Sequence, residues 1–121
     1  MGKSVIKDNS FQFAISIIKL YKNLTDSRKE FVLSKQLLKS GTAIGAMIRE
    51  AQNAESRNDF IHKLAIAQKE CDETMYWLEL LKESKYIELN EFSNIHDSAS
   101  SLLRMIRSAI LSTKQKITHN P

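Results

Sequence analysis

The residues best able to do chemistry in this chain are its histidines, its single cysteine and a pair of glutamates. A di-iron centre in a helical bundle needs two carboxylate-x-x-His motifs and two further glutamates. Asp59 and His62 have that spacing, whereas His96 and His119 have no carboxylate three residues before them. We therefore expect no metal site, and we predict that His62 is a surface side chain.

Cys71 and the pair Glu70 and Glu73 are the remaining candidates for catalysis. Cys71 lies on the most regular apolar stripe of the sequence, where cysteine usually acts as a small apolar side chain. Two glutamates three residues apart on a helix more often balance an arginine or lysine on a neighbouring helix or on another subunit than act together. Glycine-rich phosphate loops and the metalloprotease and serine-hydrolase motifs are absent. The sequence therefore predicts no catalytic residue, no cofactor and no enzymatic activity.

Basic side chains form the other chemically informative group. The net charge is +4, and the calculated pI is about 9.2. Residues 1–40 carry eight basic and three acidic side chains, and residues 101–121 carry four basic and no acidic ones. Residues 71–100 carry two basic and seven acidic side chains. This uneven distribution of charge has two interpretations. The charged residues form solvated faces that help the helices pair, or the basic residues form a surface that binds a polyanion.

Apolar residues recur every three or four positions along four stretches, with little turn chemistry between them. One proline and three glycines in 121 residues argue against a β fold. Ser27 with Glu30 reads as a capping box for a second helix, and Ser56 and Asn90 as caps of a third and a fourth. The predicted helices span residues 10–25, 29–54, 57–83 and 91–115. Short connections make consecutive helices antiparallel, so residues 1–121 are predicted to form one all-α domain, an antiparallel up-down-up-down four-helix bundle.

Two glycines and a surplus of apolar residues bear on packing. Gly41 and Gly45 lie one turn apart in the second predicted helix, although each lowers helix propensity by about 1 kcal/mol. We expect them to permit close helix contacts, with two different neighbours, because Gly41 lies on the core seam and Gly45 beside it. The first and third helices carry more apolar residues than one core stripe needs, so another subunit is expected to cover some of them.

The sequence also indicates in which cellular compartment the protein is expected. It contains no apolar run long enough to span a membrane and no signal peptide. One cysteine cannot form an intramolecular disulfide, which suits a reducing compartment. We expect a soluble cytoplasmic protein that does not associate with a membrane.

The predicted topology places the start of the first helix, the end of the second, the start of the third and the end of the fourth at one end of the bundle. Glu50, Glu55 and Asp59 are expected at the same end and would weaken its positive field. A salt bridge from Arg104 or Arg107 to Glu70 or Glu73 is the alternative to phosphate binding. The basic residues expected at this end are Lys3, Lys7, Arg49, Arg57, Lys63, Arg107, Lys114 and Lys116. The predicted nucleic-acid contacts are Arg49, Arg57, Lys63, Arg104, Arg107 and Lys114.

A set of motif residues extends over nearly the whole chain. It comprises residues 36–46 (QLLKSGTAIGA), Glu50-Ala51, Ser56, Asp59-Phe60, Leu64, Ile66-Ala67, Glu70, Glu73 and Trp77-Leu78. In these residues the chain resembles the bacterial four-helix-bundle family of 23S rRNA intervening-sequence proteins, which is similar to the accessory proteins of diversity-generating retroelements. The chain departs from that family at Met47, where an asparagine is usual, so no polar role is expected at that position.

The resemblance implies a barrel-like homopentamer without enzymatic activity and with a basic surface suited to RNA or DNA. In the retroelement relatives the partner is a reverse transcriptase with its RNA. The alternative function is a protein-interaction scaffold, or an accessory subunit with little nucleic-acid binding of its own.

Overall fold

The computed structural model describes the backbone of residues 2–119 and the side chains of residues 5–118. The four helices are α1 (Gly2–Asp26), α2 (Leu33–Gln52), α3 (Arg57–Glu83) and α4 (Leu89–His119). Helices α1 and α2, α2 and α3, α3 and α4, and α1 and α4 pack against each other. The predicted fold class is confirmed, because this cyclic order of neighbours is that of an up-down-up-down four-helix bundle. No helix in the described part of the chain is long and apolar enough to cross a membrane.

The core is built from apolar side chains that recur every three or four residues on each helix. Ile17 of α1, Ile44 of α2, Leu78 of α3 and Ile106 of α4 have no solvent-accessible surface. The apolar stripe that contains Cys71 recurs every three or four residues along α3 and is buried at Leu64, Ala67, Cys71, Thr74, Leu78 and Leu81. Burying one large aliphatic side chain stabilises the fold by about 1.5–3 kcal/mol, so these stripes hold the four helices together.

Helices α1 and α2 begin at different residues from those predicted. Helix α1 begins at Gly2 rather than residue 10, because Ile6 packs against the core and extends the stripe of Phe13 by two turns. Ser27 does not cap α2; its N–H donates to the Asn23 carbonyl at 2.9 Å and closes the end of α1. Helix α2 therefore begins at Leu33 rather than residue 29.

Glu30 caps α2 with its side chain. Its Oε2 accepts the N–H of Leu33 at 2.9 Å and that of Val32 at 3.2 Å, and its Oε1 accepts the N–H of Ser34 at 2.7 Å. These donors would otherwise be unsatisfied in the first turn of the helix. Burial raises the pKa of the Glu30 carboxyl, but the hydrogen bonds to its charged form outweigh that effect, and the pKa lies below its ordinary value of 4.5.

The start of α3 agrees with the sequence, and that of α4 does not. Ser56 Oγ accepts the N–H of Asp59 at 3.0 Å, which confirms the predicted cap. Asn90 lies inside α4 and does not cap it, because the carbonyl of Glu88 already accepts the N–H of Phe92 at 2.9 Å. Helix α4 accordingly begins at residue 89 and continues to residue 119, four residues beyond its predicted end.

Arg28 joins the α1–α2 connection to the α3–α4 connection, at the end of the bundle opposite the α2–α3 connection. Its guanidinium donates to the carbonyls of Tyr86 at 2.6 Å and Lys85 at 2.8 Å, and it lies 5.4 Å from the centre of the Tyr86 ring. Lys29 and Lys85 have φ angles of 56° and 67°, in the left-handed region that reverses the chain after each helix. The α1–α2 connection is thereby fastened to the α3–α4 connection.

Gly41 and Gly45 both face α1. A Cβ atom on Gly41 would lie 2.8 Å from Cγ1 and 2.9 Å from Cγ2 of Ile17. A Cβ atom on Gly45 would lie 3.4 Å from Oγ of Ser10. The prediction of two different neighbours is wrong, because residues four apart on a helix share a face. Only Gly41 lies at a contact too close for a side chain.

Replacing Gly41 by alanine is expected to destabilise the bundle, although alanine raises helix propensity by about 1 kcal/mol. The added methyl group would overlap Ile17, which is fully buried, and such overpacking costs about 1–3 kcal/mol. Gly45→Ala is the matched control and is expected to be neutral or stabilising, because its methyl group meets Ser10 at an ordinary distance. Urea unfolding at one fixed protein concentration measures both variants. Equal stability of the two variants would argue against the close-contact explanation.

Glu30 is expected to make stability depend on acidic pH. The pKa of Glu30 is lower in the folded state than its ordinary value of 4.5. The ionised carboxylate therefore contributes its full stability above pH 4.5, and this stability is lost as the pH falls through the folded-state pKa. Glu30→Ala is expected to lower the unfolding free energy by about 1–2 kcal/mol at neutral pH. Urea unfolding of the variant and the unmodified protein should show this difference shrinking in acid. A difference in unfolding free energy that is the same in acid as at neutral pH would refute the role of the ionised carboxylate. Glu73→Ala, which removes an exposed carboxylate, is the control.

Candidate nucleic-acid interface

No metal centre forms among residues 5–118, because no three histidine, cysteine, aspartate or glutamate side chains come together. His62 is exposed, as predicted. His96 lies between α3 and α4, with its Nε2 2.9 Å from Oε2 of Glu79. The imidazole therefore has a structural partner.

Cys71 fills the core at the predicted position. Its side chain is completely buried, and its Sγ–H donates to the Ala99 carbonyl at 3.2 Å. Burial raises the pKa of the Cys71 thiol to about 11; Asp72 also raises it and Arg107 lowers it. A protonated, inaccessible thiol is a poor nucleophile, so Cys71 serves packing between α3 and α4.

The alternative role predicted for Arg104 and Arg107 is wrong for the single chain. The ion pairs in the described part of the chain are Lys63 with Glu50 at 3.1 Å, Lys82 with Glu83 at 3.2 Å and His96 with Glu79 at 2.9 Å. Neither Glu70 nor Glu73 pairs with Arg104 or Arg107, and both arginines are exposed. Their guanidinium groups are therefore available to an external anion.

Three predicted contacts share the side of the bundle formed by α3 and α4. His96 marks the side of α4 that faces α3, because it contacts Glu79. Arg107 and Lys114 follow His96 by eleven and eighteen residues, close to three and five helical turns. Arg57 precedes Glu79 by 22 residues, about six turns, and so lies on the matching side of α3. We call Arg57, Arg107 and Lys114 the basic face.

The three side chains of the basic face form no direct ion pair among the described residues. All three side chains are exposed. Ile61 of α3 and Leu111 of α4, which lie one turn from Arg57 and Arg107 on this side, are uncharged. Glu50 pairs with Lys63 between α2 and α3. Asp72 lies on the same side of α3 as Arg57, since it precedes Glu79 by about two turns, and it acts with Arg107 on the Cys71 thiol.

The other three predicted contacts lie at the same end but on different sides. Arg49 lies 5.8 Å from the centre of the Phe11 ring, between α1 and α2. Lys63 is paired with Glu50 between α2 and α3. Arg104 borders a pocket between the helices. The single patch expected from the topology is therefore divided, and the side chain of Lys3, also expected there, lies outside the described residues.

Sequence reasoning missed the pocket that Arg104 borders. It has a volume of about 690 Å³ and lies between the four helices, with Ile6, Phe60 and Leu64 among its walls. Ala51 and Ala109 are the residues from which the pocket could have been predicted. They place small side chains on the apolar stripes of α2 and α4, where larger side chains would fill the space. We call this cavity the end pocket.

The apolar surplus of α1 and α3 is uncovered in the single chain. Phe11 and Ile18 of α1 are 51% and 38% exposed, and Ile15 between them is partly exposed. Their spacing of three and four residues places them in one row, which we call the α1 stripe. On α3, Tyr76 is 54% exposed and its ring packs edge-on against Trp77 with 5.1 Å between centroids.

Comparisons with known proteins agree with this fold. Residues 3–108 match the sequence model of a family described as 23S rRNA-intervening sequence protein. A crystal structure from Bacteroides thetaiotaomicron, of a protein with unknown function from the S23 ribosomal protein family, superposes with a TM-score of 0.89. It is 50% identical in sequence, and the match covers 91% of this chain and 98% of that chain. No curated protein matches significantly.

Proposed function

The chain belongs to the 23S rRNA-intervening sequence protein family, and we propose that it is a cytoplasmic, non-enzymatic homo-oligomer that binds nucleic acid through its basic face. One observation carries the proposal. Arg57, Arg107 and Lys114 lie exposed on one side of the α3–α4 pair without a carboxylate partner among the described residues. Cations in this arrangement have no internal ion pair to give up when they meet phosphate.

The side-chain types of the basic face suit a phosphate backbone. The guanidinium groups of Arg57 and Arg107 can each donate two hydrogen bonds to one phosphate, whereas Lys114 supplies a compact charge. Binding would release counterions from the nucleic acid and would therefore weaken steeply with salt. Contacts to phosphates position a nucleic acid without reading its sequence, so we expect affinity for RNA or DNA with little sequence preference.

Assembly would repeat the basic face once per subunit. The α1 stripe lies on the α1–α2 side of the bundle, where Arg49 covers part of Phe11. Burying its exposed apolar surface against another subunit would contribute about 25 cal/mol per Å². The homopentamer that the family resemblance implies would leave the α3–α4 side outward, and several weak contacts would then combine on one nucleic acid.

Replacing Arg57, Arg107 and Lys114 together by glutamine is expected to weaken binding to a labelled duplex at low salt. Each lost phosphate contact should make the slope of log affinity against log salt concentration shallower by about 0.9 for a DNA duplex. Fluorescence anisotropy over a salt series measures this slope.

The matched control replaces Lys22, Lys29 and Lys85 by glutamine. These exposed lysines lie toward the opposite end of the bundle, so the same charge is removed while the slope is expected to stay unchanged. No binding by the unmodified protein at low salt, or equal weakening by both variants, would overturn the proposal. A protein-interaction scaffold, such as an accessory subunit of a reverse transcriptase, would then be the better hypothesis.

Replacing Phe11 and Ile18 by glutamate is expected to dissociate the oligomer while the helical content stays unchanged. Both side chains are already exposed in the single chain, so the charges interfere with a subunit contact and not with the core. Analytical ultracentrifugation measures the mass, and Leu89→Glu, which changes an exposed leucine at the start of α4, is the control. A monomeric unmodified protein would rule out the assembly.

A further inference from the structure

We propose that the end pocket binds an amphipathic monocarboxylate, with its aliphatic tail between the helices and its carboxylate on Arg104. This site differs from the basic face in position and in the chemistry it offers. The proposal does not depend on nucleic-acid binding.

The walls of the end pocket suit an aliphatic chain. They include Ile6 of α1, Ile48 of α2, Leu64 of α3 and Met105 of α4, so every helix contributes an apolar side chain. Ile48 and Leu64 belong to the buried core, which makes the inner wall part of the folded structure. A volume of about 690 Å³ falls within the range of roughly 300–1,000 Å³ that small-molecule sites occupy. The pocket is therefore preformed and large enough for a medium-length chain.

The polar edge of the end pocket suits a single negative charge. Arg104, Ser108 and Ser112 all line the pocket, and their spacing of four residues places them along one side of α4. Arg104 is exposed and forms no ion pair with any described residue. No carboxylate is present among the residues that line the pocket. The guanidinium of Arg104 and the hydroxyl of Ser108, one turn away, complement a carboxylate, which can accept hydrogen bonds from both.

The combination of wall and edge selects the ligand class. One arginine balances one charge, so a singly charged carboxylate fits better than a dianionic phosphate ester. The thioether side chain of Met105 can adapt to a flexible chain, and the aliphatic side chains of the wall offer it no hydrogen bonds. A fully polar ligand would bury no apolar surface against these walls. A hydrocarbon without a charged head group would form no ionic contact with Arg104.

Isothermal titration calorimetry with dodecanoate, below its micelle concentration, tests the proposal directly. We expect saturable binding of one dodecanoate per chain. Decanoate and octanoate should each bind about tenfold more weakly than the next longer acid, because two methylene groups fewer are buried. Dodecyltrimethylammonium has the same tail and the opposite charge, and it should not compete.

Variants at the edge of the end pocket separate the two parts of the site. Arg104→Gln is expected to lower dodecanoate affinity about tenfold, as for loss of one hydrogen-bonded charge, and Arg104→Lys should retain most of it. Ser108→Trp fills the mouth from an exposed position and should abolish binding, whereas Lys69→Gln removes a charge from the outer surface of α3 and should not. Absence of dodecanoate binding, equal binding of the cationic amphiphile, or an affinity unchanged by Arg104→Gln would each overturn the proposal.

Discussion

The contact between Gly41 and Ile17 sets the distance between α1 and α2, and the rest of the bundle is arranged around it. The space beside Gly41 is too small for even one carbon atom, because Ile17 occupies it. On another side of α2, the hydroxyl groups of Ser40 and Thr74 form a buried hydrogen bond of 2.9 Å with α3. A buried polar pair would lose this bond if either helix shifted along its axis. Helix α2 therefore fixes the positions of both of its neighbours.

The two ends of the bundle differ in how they are closed. At one end, Arg28 bonds to the carbonyls of Lys85 and Tyr86 and ties the two connections together. At the other end, a single short connection joins α2 to α3, and the end pocket opens between the helices. The predicted phosphate-binding residues lie at this open end. In the proposed assembly the α1 stripe and the basic face lie on opposite sides of the bundle, so subunit contacts and ligand contacts need not compete.

The candidate site shows how far sequence reasoning extends. Helix order and direction sufficed to place Arg49, Arg57 and Lys63 near one end, because an antiparallel bundle fixes the height of each residue along its axis. The side of the bundle depends on how each helix is rotated about its axis. The structure turns Arg49 toward Phe11 and pairs Lys63 with Glu50. The contact of His96 with Glu79 fixes the side of α3 that faces α4, and residue spacing puts Arg57 on that side. The end pocket also depends on rotation, since four helices must leave the same space empty.

The amino-acid sequence was enough to predict the number of helices, the fold class and most of the core, because apolar spacing is a local property that each helix carries independently. It also determined the Ser56 cap, whose acceptor and donor lie three residues apart. The tertiary structure was needed to show that Glu30, and not Ser27, caps α2, because in the folded chain the Ser27 N–H closes the end of α1 and the Glu30 carboxylate is buried at the start of α2. It also decided that Gly41 and Gly45 share one neighbour and that the basic residues divide among three sides of the bundle. These features depend on the relative positions of helices, which residue spacing within one helix does not specify.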